Sequence, residues 1–364
     1  MNVHTIDHVE FFVGDARQTA YYFCTAFGFR IVGQAGPETG LAGQRTLHLR
    51  HGDIHLLLTS GLTADHPATQ YVARHGDGVA VVAFAVDDAT ASHAEAMARG
   101  AANISTPARY GHGTVMAGVS GFGDVTHRLV ERCRDDTGFW PDVIRPSASA
   151  SVSAGEEPER LMEVIDHLAI CVPAGQLDET VAYYTEVFGF AEILAEYIEV
   201  GGQAMDSKVV QSASGGATFT LIEPDPTRAA GQIDDFLTWH AGAGVQHLAF
   251  RSTDILTAVS TFAARGVGFL RSPGSYYDAL EGRIGAVELP VPGLREAGIL
   301  VDRDHAGELY QIFTQSMHVR RTLFLELIER RGALTFGSSN IKALYEAKER
   351  ELSAGHRRPE TVPA

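Results

Sequence analysis

TIDHVEFFVG (residues 5–14) and VIDHLAICVP (residues 164–173) open the two halves of this 364-residue chain with the same Ile-Asp-His tripeptide, which places His8 and His167 at matching points. Three further matches follow in the same order. AYYFCTAFGFRIVGQ (20–34) pairs with AYYTEVFGFAEILAE (182–196), GDGVAVVAF (76–84) with GAGVQHLAF (242–250), and HRLVER (127–132) with LELIER (325–330). The chain is therefore read as a duplication. RPSASASVSAGEEPER (145–160), rich in Ser, Ala, Pro and Glu, reads as the linker between the copies. The expected organisation is an N-terminal domain at 1–144, a C-terminal domain at 161–352 and a tail at 353–364.

Each half repeats one grammar: a strand, an amphipathic helix, then several strands. RTLHLRHGDIHLLLTS (45–60) and SKVVQSASGGATFTLIEP (207–224) read as hairpins with glycine in the turn. DATASHAEAMARGA (88–101) and DILTAVSTFAARGV (254–267) read as helices stopped by glycine. The fold class is α+β, with two βαβββ modules per half forming an open, curved-sheet barrel. Such a sheet offers a concave cleft, a usual place for a small-molecule site.

Composition narrows the partners. A formal charge of −16 argues against nucleic acid and anionic membranes, both of which need a basic footprint. Three dispersed cysteines, Cys24, Cys133 and Cys171, form no CxxC pair and fit cytoplasmic thiols better than a disulfide framework or a zinc ribbon. The N-terminal residues carry no basic and apolar leader pattern, and no apolar run approaches the ~18–20 residues of a membrane span. The expectation is a soluble, cytoplasmic protein; the sequence is compatible with a homo-oligomer but does not specify one.

The duplication also acts as an internal control. His167 matches His8, His247 matches Val81, and Glu326 matches Arg128. The C-terminal half thus carries two histidines and a carboxylate on three separate strands. By strand alternation each sits among apolar neighbours: His167 with Ile165 and Ala169, His247 with Val245 and Ala249, Glu326 with Phe324 and Ile328. Burying such groups without partners costs several kcal/mol. They either satisfy one another as core residues or hold a metal ion, and two imidazoles with one carboxylate are the facial triad of non-haem Fe(II) oxygenases. His8, facing Val81 and Arg128, reads as a core residue. His51 and His55, four apart on a strand, read as exposed side chains and not as ligands.

GAGVQHLAF, SYYDAL (275–280), GILVDRD (298–304), YQIFTQ (310–315), ELIER (326–330) and FGSSNIKALYEA (336–347) carry a further signal. In that order they resemble segments of the vicinal-oxygen-chelate (glyoxalase-like) superfamily. Within it, they resemble the family of 4-hydroxyphenylpyruvate dioxygenases and 4-hydroxymandelate synthases, over nearly the whole chain. The resemblance implies that His167, His247 and Glu326 ligate Fe(II), that the active site lies in the C-terminal barrel, and that the N-terminal barrel is metal-free. It implies 4-hydroxyphenylpyruvate and O₂ as substrates. Oxidative decarboxylation of the keto acid then supplies the electrons, without 2-oxoglutarate. One branch of the family oxidises the ring to homogentisate, whereas the other hydroxylates the benzylic carbon to 4-hydroxymandelate.

Three departures from the dioxygenase pattern favour the synthase branch. A Pro-(Ile/Leu)-Asn-Glu-Pro segment reads TLIEP here, with Thr220 and Ile222, and the helix motif GxGNFKALFEA has Ile341 in place of Phe. By the same resemblance Ser207, Gln311 and Phe336 touch substrate, while Asn340 either caps the C-terminal helix or lines the pocket. That helix, SSNIKALYEAKERE, is expected to close the site. The implied pathway role is supply of a building block for a peptide antibiotic. A metal-free binding protein and an extradiol ring-cleaving dioxygenase are the competing readings; the complete triad opposes the first and the C-terminal helix motif the second.

Overall fold

The structure, a computed structural model, describes residues 1–136, 138–147 and 160–343. The first βαβββ module comprises β1 (Val3–Phe12), α1 (Ala16–Phe27), β2 (Arg30–Ala35), β3 (Gln44–His51) and β4 (Ile54–Gly61). Helix α2 (Pro67–His75) leads to the second: β5 (Gly78–Val86), α3 (Ala89–Ala98), β6 (Asn103–Tyr110), β7 (Thr114–Ser120) and β8 (Thr126–Glu131). A two-residue strand, β9 (Arg145–Pro146), completes a nine-stranded sheet ordered β6-β7-β8-β5-β1-β4-β3-β2-β9. The modules meet where β1 runs antiparallel to β5.

The C-terminal half repeats the plan. Its first module is β10 (Ile165–Cys171), α4 (Leu177–Phe188), β11 (Ala191–Val200), β12 (Gln203–Gln211) and β13 (Thr218–Pro224). After α5 (Gln232–His240) come β14 (Gly244–Arg251) and α6 (Ile255–Ala264). Three short helices, α7 (Gly274–Asp278), α8 (Leu280–Ile284) and α9 (Val291–Ala297), precede β15 (Leu300–Arg303), β16 (Glu308–Phe313) and β17 (Phe324–Arg331). The sheet order is β11-β12-β13-β10-β14-β17-β16-β15. Local chemistry sets the helix ends. Asp15, Asp88 and Asp254 cap α1, α3 and α6 by accepting backbone N–H bonds, and a left-handed glycine, Gly28, stops α1.

The largest apolar core spans both halves. Phe27 of α1 meets Phe262 of α6 at 5.1 Å, and Phe84 of β5 meets Phe188 of α4 at 5.4 Å. A buried histidine sits in this core: His127 donates from Nδ1 to the Val82 carbonyl (3.2 Å) and accepts at Nε2 from the Tyr184 hydroxyl (2.8 Å). Burial pushes its pKa down from 6.5 to about 4. Between those values the unfolded chain binds more protons than the folded one. The stability His127 contributes is therefore complete above pH 6.5 and is lost as pH falls to 4, by at most about 3 kcal/mol. Urea midpoints should drop across that window, and His127→Gln should flatten the pH dependence. An unchanged slope in the variant would contradict this account.

A second, smaller core lies on one face of the C-terminal sheet: Ala169, Cys171, Met205 and Ile222, with Ile233 and Phe236 of α5 packed against them. No helix among the described residues is long and apolar enough to cross a membrane.

Several sequence expectations change here. Register shifts at Asp166, between β10 and β14, and again opposite Gln246 interrupt strict alternation. Ile165 and Val245 consequently pack with the large core and not beside His167 and His247. Arg145 and Pro146 pair with Gln34 and Gly33, so the first sheet reaches into the stretch read as a linker. His51 is buried, taking the Met162 N–H on Nε2 (3.3 Å), and His55 stacks half-buried with His48 and Phe139; neither is an exposed side chain. Met162 and Phe139, which help to bury them, come from distant segments and were invisible in the local sequence. Residues 148–159 of the linker, the C-terminal helix beyond Ala343 and the tail lie outside the described residues.

Candidate functional site

Three adjacent strands bring the triad together. In register, His167 lies opposite Ala249 and Ala169 opposite His247, while Ala249 is level with Glu326 on β17. Small residues at 169 and 249 leave room for the large ones between them. Among the described residues, His167, His247 and Glu326 are the one trio of metal-ligating side chains whose donor atoms all lie within 4.8 Å of one another. The Oε2 atom of Glu326 is 3.3 Å from Nε2 of each histidine. Metal–ligand bonds of roughly 2.1 Å set adjacent donors about 3 Å apart, so the spacing fits a divalent transition ion. Both Glu326 and His167 are nearly sealed from solvent.

The electrostatics suit a cation. Burial alone would push the His167 pKa down, but Asp166 on one ring nitrogen and Glu326 on the other raise it to about 9. Burial likewise opposes the charge on Glu326, and its two imidazole neighbours hold it below its ordinary value. His247 is lowered, chiefly by burial, and its Nδ1 has no protein partner. Its ring is held instead by stacking on Phe324 (5.0 Å, 26°) and an edge contact with Phe313 (5.7 Å).

Behind His167 stands a group that sequence reading missed. Asp166 accepts from Nδ1 of His167 at 3.0 Å, which fixes the tautomer and leaves Nε2 free to donate its lone pair. Arg330 grips Asp166 with Nε (3.0 Å) and Nη2 (2.9 Å), and Arg251 adds a second guanidinium at 2.7 Å. Burial works against the Asp166 charge, but His167 and Arg330 hold it well below the ordinary carboxylate range. The signal was present: Asp and Arg recur in both IDH tripeptides and both ER dipeptides.

Four of the expected pocket residues share the sheet face that carries the trio. Thr220 pairs with Ala169, Ile222 with Cys171, and Ser207 with Ile222; Gln311 sits on β16 two residues from Phe313, which lies opposite Glu326. All four are buried. The Thr220 hydroxyl and the Gln311 Oε1 have no protein partner, a condition that a bound polar ligand relieves. Phe336 meets His167 edge-on at 5.3 Å. Gly337 (φ 77°) abuts Gln311 so closely that a Cβ would collide with the amide. The helix starts at Ser338, so Asn340 lies in its first turn and does not cap it. Its Oδ1 accepts from the Tyr276 hydroxyl at 2.7 Å, and its Nδ2 is unpartnered. Ile341, half-buried, follows on that turn.

The matching place in the N-terminal half is filled by protein. His8 lies opposite Ala83, and Ala83 is level with Arg128, the same register as His167, Ala249 and Glu326. Arg128 donates to Nε2 of His8 (2.7 Å) and to Glu10 (2.8 Å), so a guanidinium stands where the other half gathers donors.

The chain is similar to known proteins over most of its length. The profile of the Glyoxalase/Bleomycin resistance protein/Dioxygenase superfamily matches residues 5–140 and 164–284. The 4-hydroxyphenylpyruvate dioxygenase of Yarrowia lipolytica is 32% identical, over 95% of this chain and 91% of its own. That of Dictyostelium discoideum is also 32% identical, over 95% and 97%. The chain belongs to the 4-hydroxyphenylpyruvate dioxygenase family. A solved structure, a triple mutant of 4-hydroxymandelate synthase from Streptomyces coelicolor, is similar at 42% identity with a TM-score of 0.85, covering 97% of this chain and all of that one. Within the family, then, this chain shares more sequence with that synthase than with either of these dioxygenases.

Proposed function

We propose that the chain is an Fe(II)-dependent 4-hydroxymandelate synthase, converting 4-hydroxyphenylpyruvate and O₂ to 4-hydroxymandelate and CO₂. The 42% identity to a synthase over 97% of the chain, against 31–33% to the dioxygenases compared, carries the reading. His167, His247 and Glu326 would hold the iron. When bound, the metal supplies open positions for chelating the α-keto acid and for activating O₂.

The chain's own residues orient and enclose the substrate. Asp166 keeps the His167 proton on Nδ1 throughout. Gln311 and Ser207, buried on the sheet face that carries the trio, are the polar contacts to substrate, and the Thr220 hydroxyl is available to the phenol. Ile222 packs with Ala169, Cys171 and Met205, which makes an apolar wall where the dioxygenase motif has Asn. With Ile341 replacing an aromatic residue, the ring is less confined and the benzylic carbon is presented for hydroxylation. Phe336 and the helix after it shield the site from water. Location in the cytoplasm belongs to the same proposal, supported by three free cysteines.

Anaerobic loading with Fe(II), followed by 4-hydroxyphenylpyruvate and air, tests it by chromatography of the products. 4-Hydroxymandelate is the expected product. Homogentisate as the main product would assign the dioxygenase reaction and remove Thr220, Ile222 and Ile341 as determinants of the branch.

A further inference from the structure

The cluster behind His167 extends to the C-terminal segment. The Arg330 guanidinium that holds Asp166 also donates from Nη1 to the carbonyls of Thr335 (2.6 Å) and Ala333 (3.2 Å). Its Cζ lies over the Phe336 ring, 4.8 Å from the centroid, and that ring meets His167 edge-on. Outside it a cleft of about 600 Å³ is lined by Glu196, Arg251, Arg330 and Phe336. Phe336 thus stands between this cleft and His167, directly before Gly337 and the helix starting at Ser338.

The N-terminal half contains the same cluster. Arg132 holds Asp7 with Nε (2.8 Å) and Nη2 (2.6 Å), Asp7 accepts from Nδ1 of His8 (2.6 Å), and Phe139 lies under the guanidinium at 4.2 Å. Phe139 meets His8 edge-on at 5.1 Å, and Arg132 donates to the Phe139 carbonyl. The arrangement therefore forms without any metal ligation, as a packing solution of the fold. In the C-terminal half alone it adjoins the metal-ligating trio and a segment whose glycine presses on Gln311.

We propose that Arg330 is a positioning residue that couples the seating of residues 333–337 to the orientation of His167. One planar guanidinium spans Asp166, two backbone carbonyls and an aromatic face, so displacing the segment loosens the grip on Asp166. Iron affinity and substrate affinity are then linked through one side chain. The proposal rests on the reading of His167 as an iron ligand.

Matched substitutions in the two halves test it. Arg330→Met leaves Asp166 paired with Arg251, so no buried carboxylate is stranded. Fe(II) Kd by chelator competition, KM and kcat for 4-hydroxyphenylpyruvate, and Tm are measured for wild type, Arg330→Met, Arg330→Lys and Arg132→Met. Arg330→Met should weaken iron roughly 10–100-fold, as loss of an outer-sphere partner does, and should raise KM more than it lowers kcat. Arg330→Lys should not restore KM, because an ammonium cannot span the four partners. Arg132→Met should lower Tm yet leave iron Kd and KM within twofold. Equal changes in Arg132→Met and Arg330→Met, or unchanged iron Kd and KM in Arg330→Met, overturn the coupling. If Arg330→Met does not fold, Phe336→Leu against Phe139→Leu decides by iron Kd, with a selective loss expected in the first. Wild-type protein that binds no iron would overturn the functional reading itself and not this coupling alone.

Discussion

Glu326→Ala should leave a folded protein with neither stoichiometric iron nor measurable turnover. Its carboxylate is the anionic member of the trio, with Oε2 3.3 Å from both Nε2 atoms, and two neutral imidazoles do not balance a buried divalent charge. The loss should exceed the roughly 10–100-fold typical of an outer-sphere partner, since a ligand itself is removed. The fold should survive because nothing charged is stranded: His167 keeps Asp166, and Asp166 keeps both arginines. Glu326→Gln preserves shape without charge and should behave almost as badly, which separates electrostatics from packing. Metal analysis after reconstitution, product assay and near-UV circular dichroism make the comparison. Wild-type iron content in Glu326→Ala would show that the trio is not the metal site.

Arg128→Ala, at the same register position in the other half, should do the reverse. There the cation is covalently part of the chain. Burial would raise the Glu10 pKa, but Arg128 beside it and the Thr59 hydroxyl hold it below the ordinary value. Removing the guanidinium leaves a buried carboxylate facing His8 and Thr59, and it also uncovers the Trp140 face that Arg128 covers at 4.7 Å. Breaking a buried pair from one side costs about 3–5 kcal/mol. Urea unfolding should register a loss of that order, while the folded fraction keeps its iron. Adding Glu10→Ala, which installs the residue found at the equivalent position 169, should recover much of the stability. A loss below about 1 kcal/mol would mean that water reaches Glu10 and the pair is not effectively buried.

The contrast between these variants rests on the duplication, and the duplication was legible in the chain. Repeated tripeptides, FGF turns and ER dipeptides reveal two copies, and alternation along each strand places His167, His247 and Glu326 on one face. Those patterns are local: strand parity and glycine stops are consequences of near neighbours in sequence. The triad could be read because its members differ between copies at aligned positions.

What tertiary structure alone decided involves partners far apart in the chain. The register shifts at Asp166 and Gln246 turned Ile165 and Val245 to the other face, a change that alternation cannot anticipate. Asn340, a candidate cap in the sequence, instead serves Tyr276, more than 60 residues away. The Phe139–Phe336 equivalence lies outside every matched segment and emerges only from the rings packed beneath Arg132 and Arg330. The sequence by itself determined the modules, their duplication and the donor set, because these follow from periodicity and side-chain chemistry. Which guanidinium holds which carboxylate, and which ring covers which histidine, was settled by folding, because those contacts depend on loop paths and sheet curvature that no local pattern encodes.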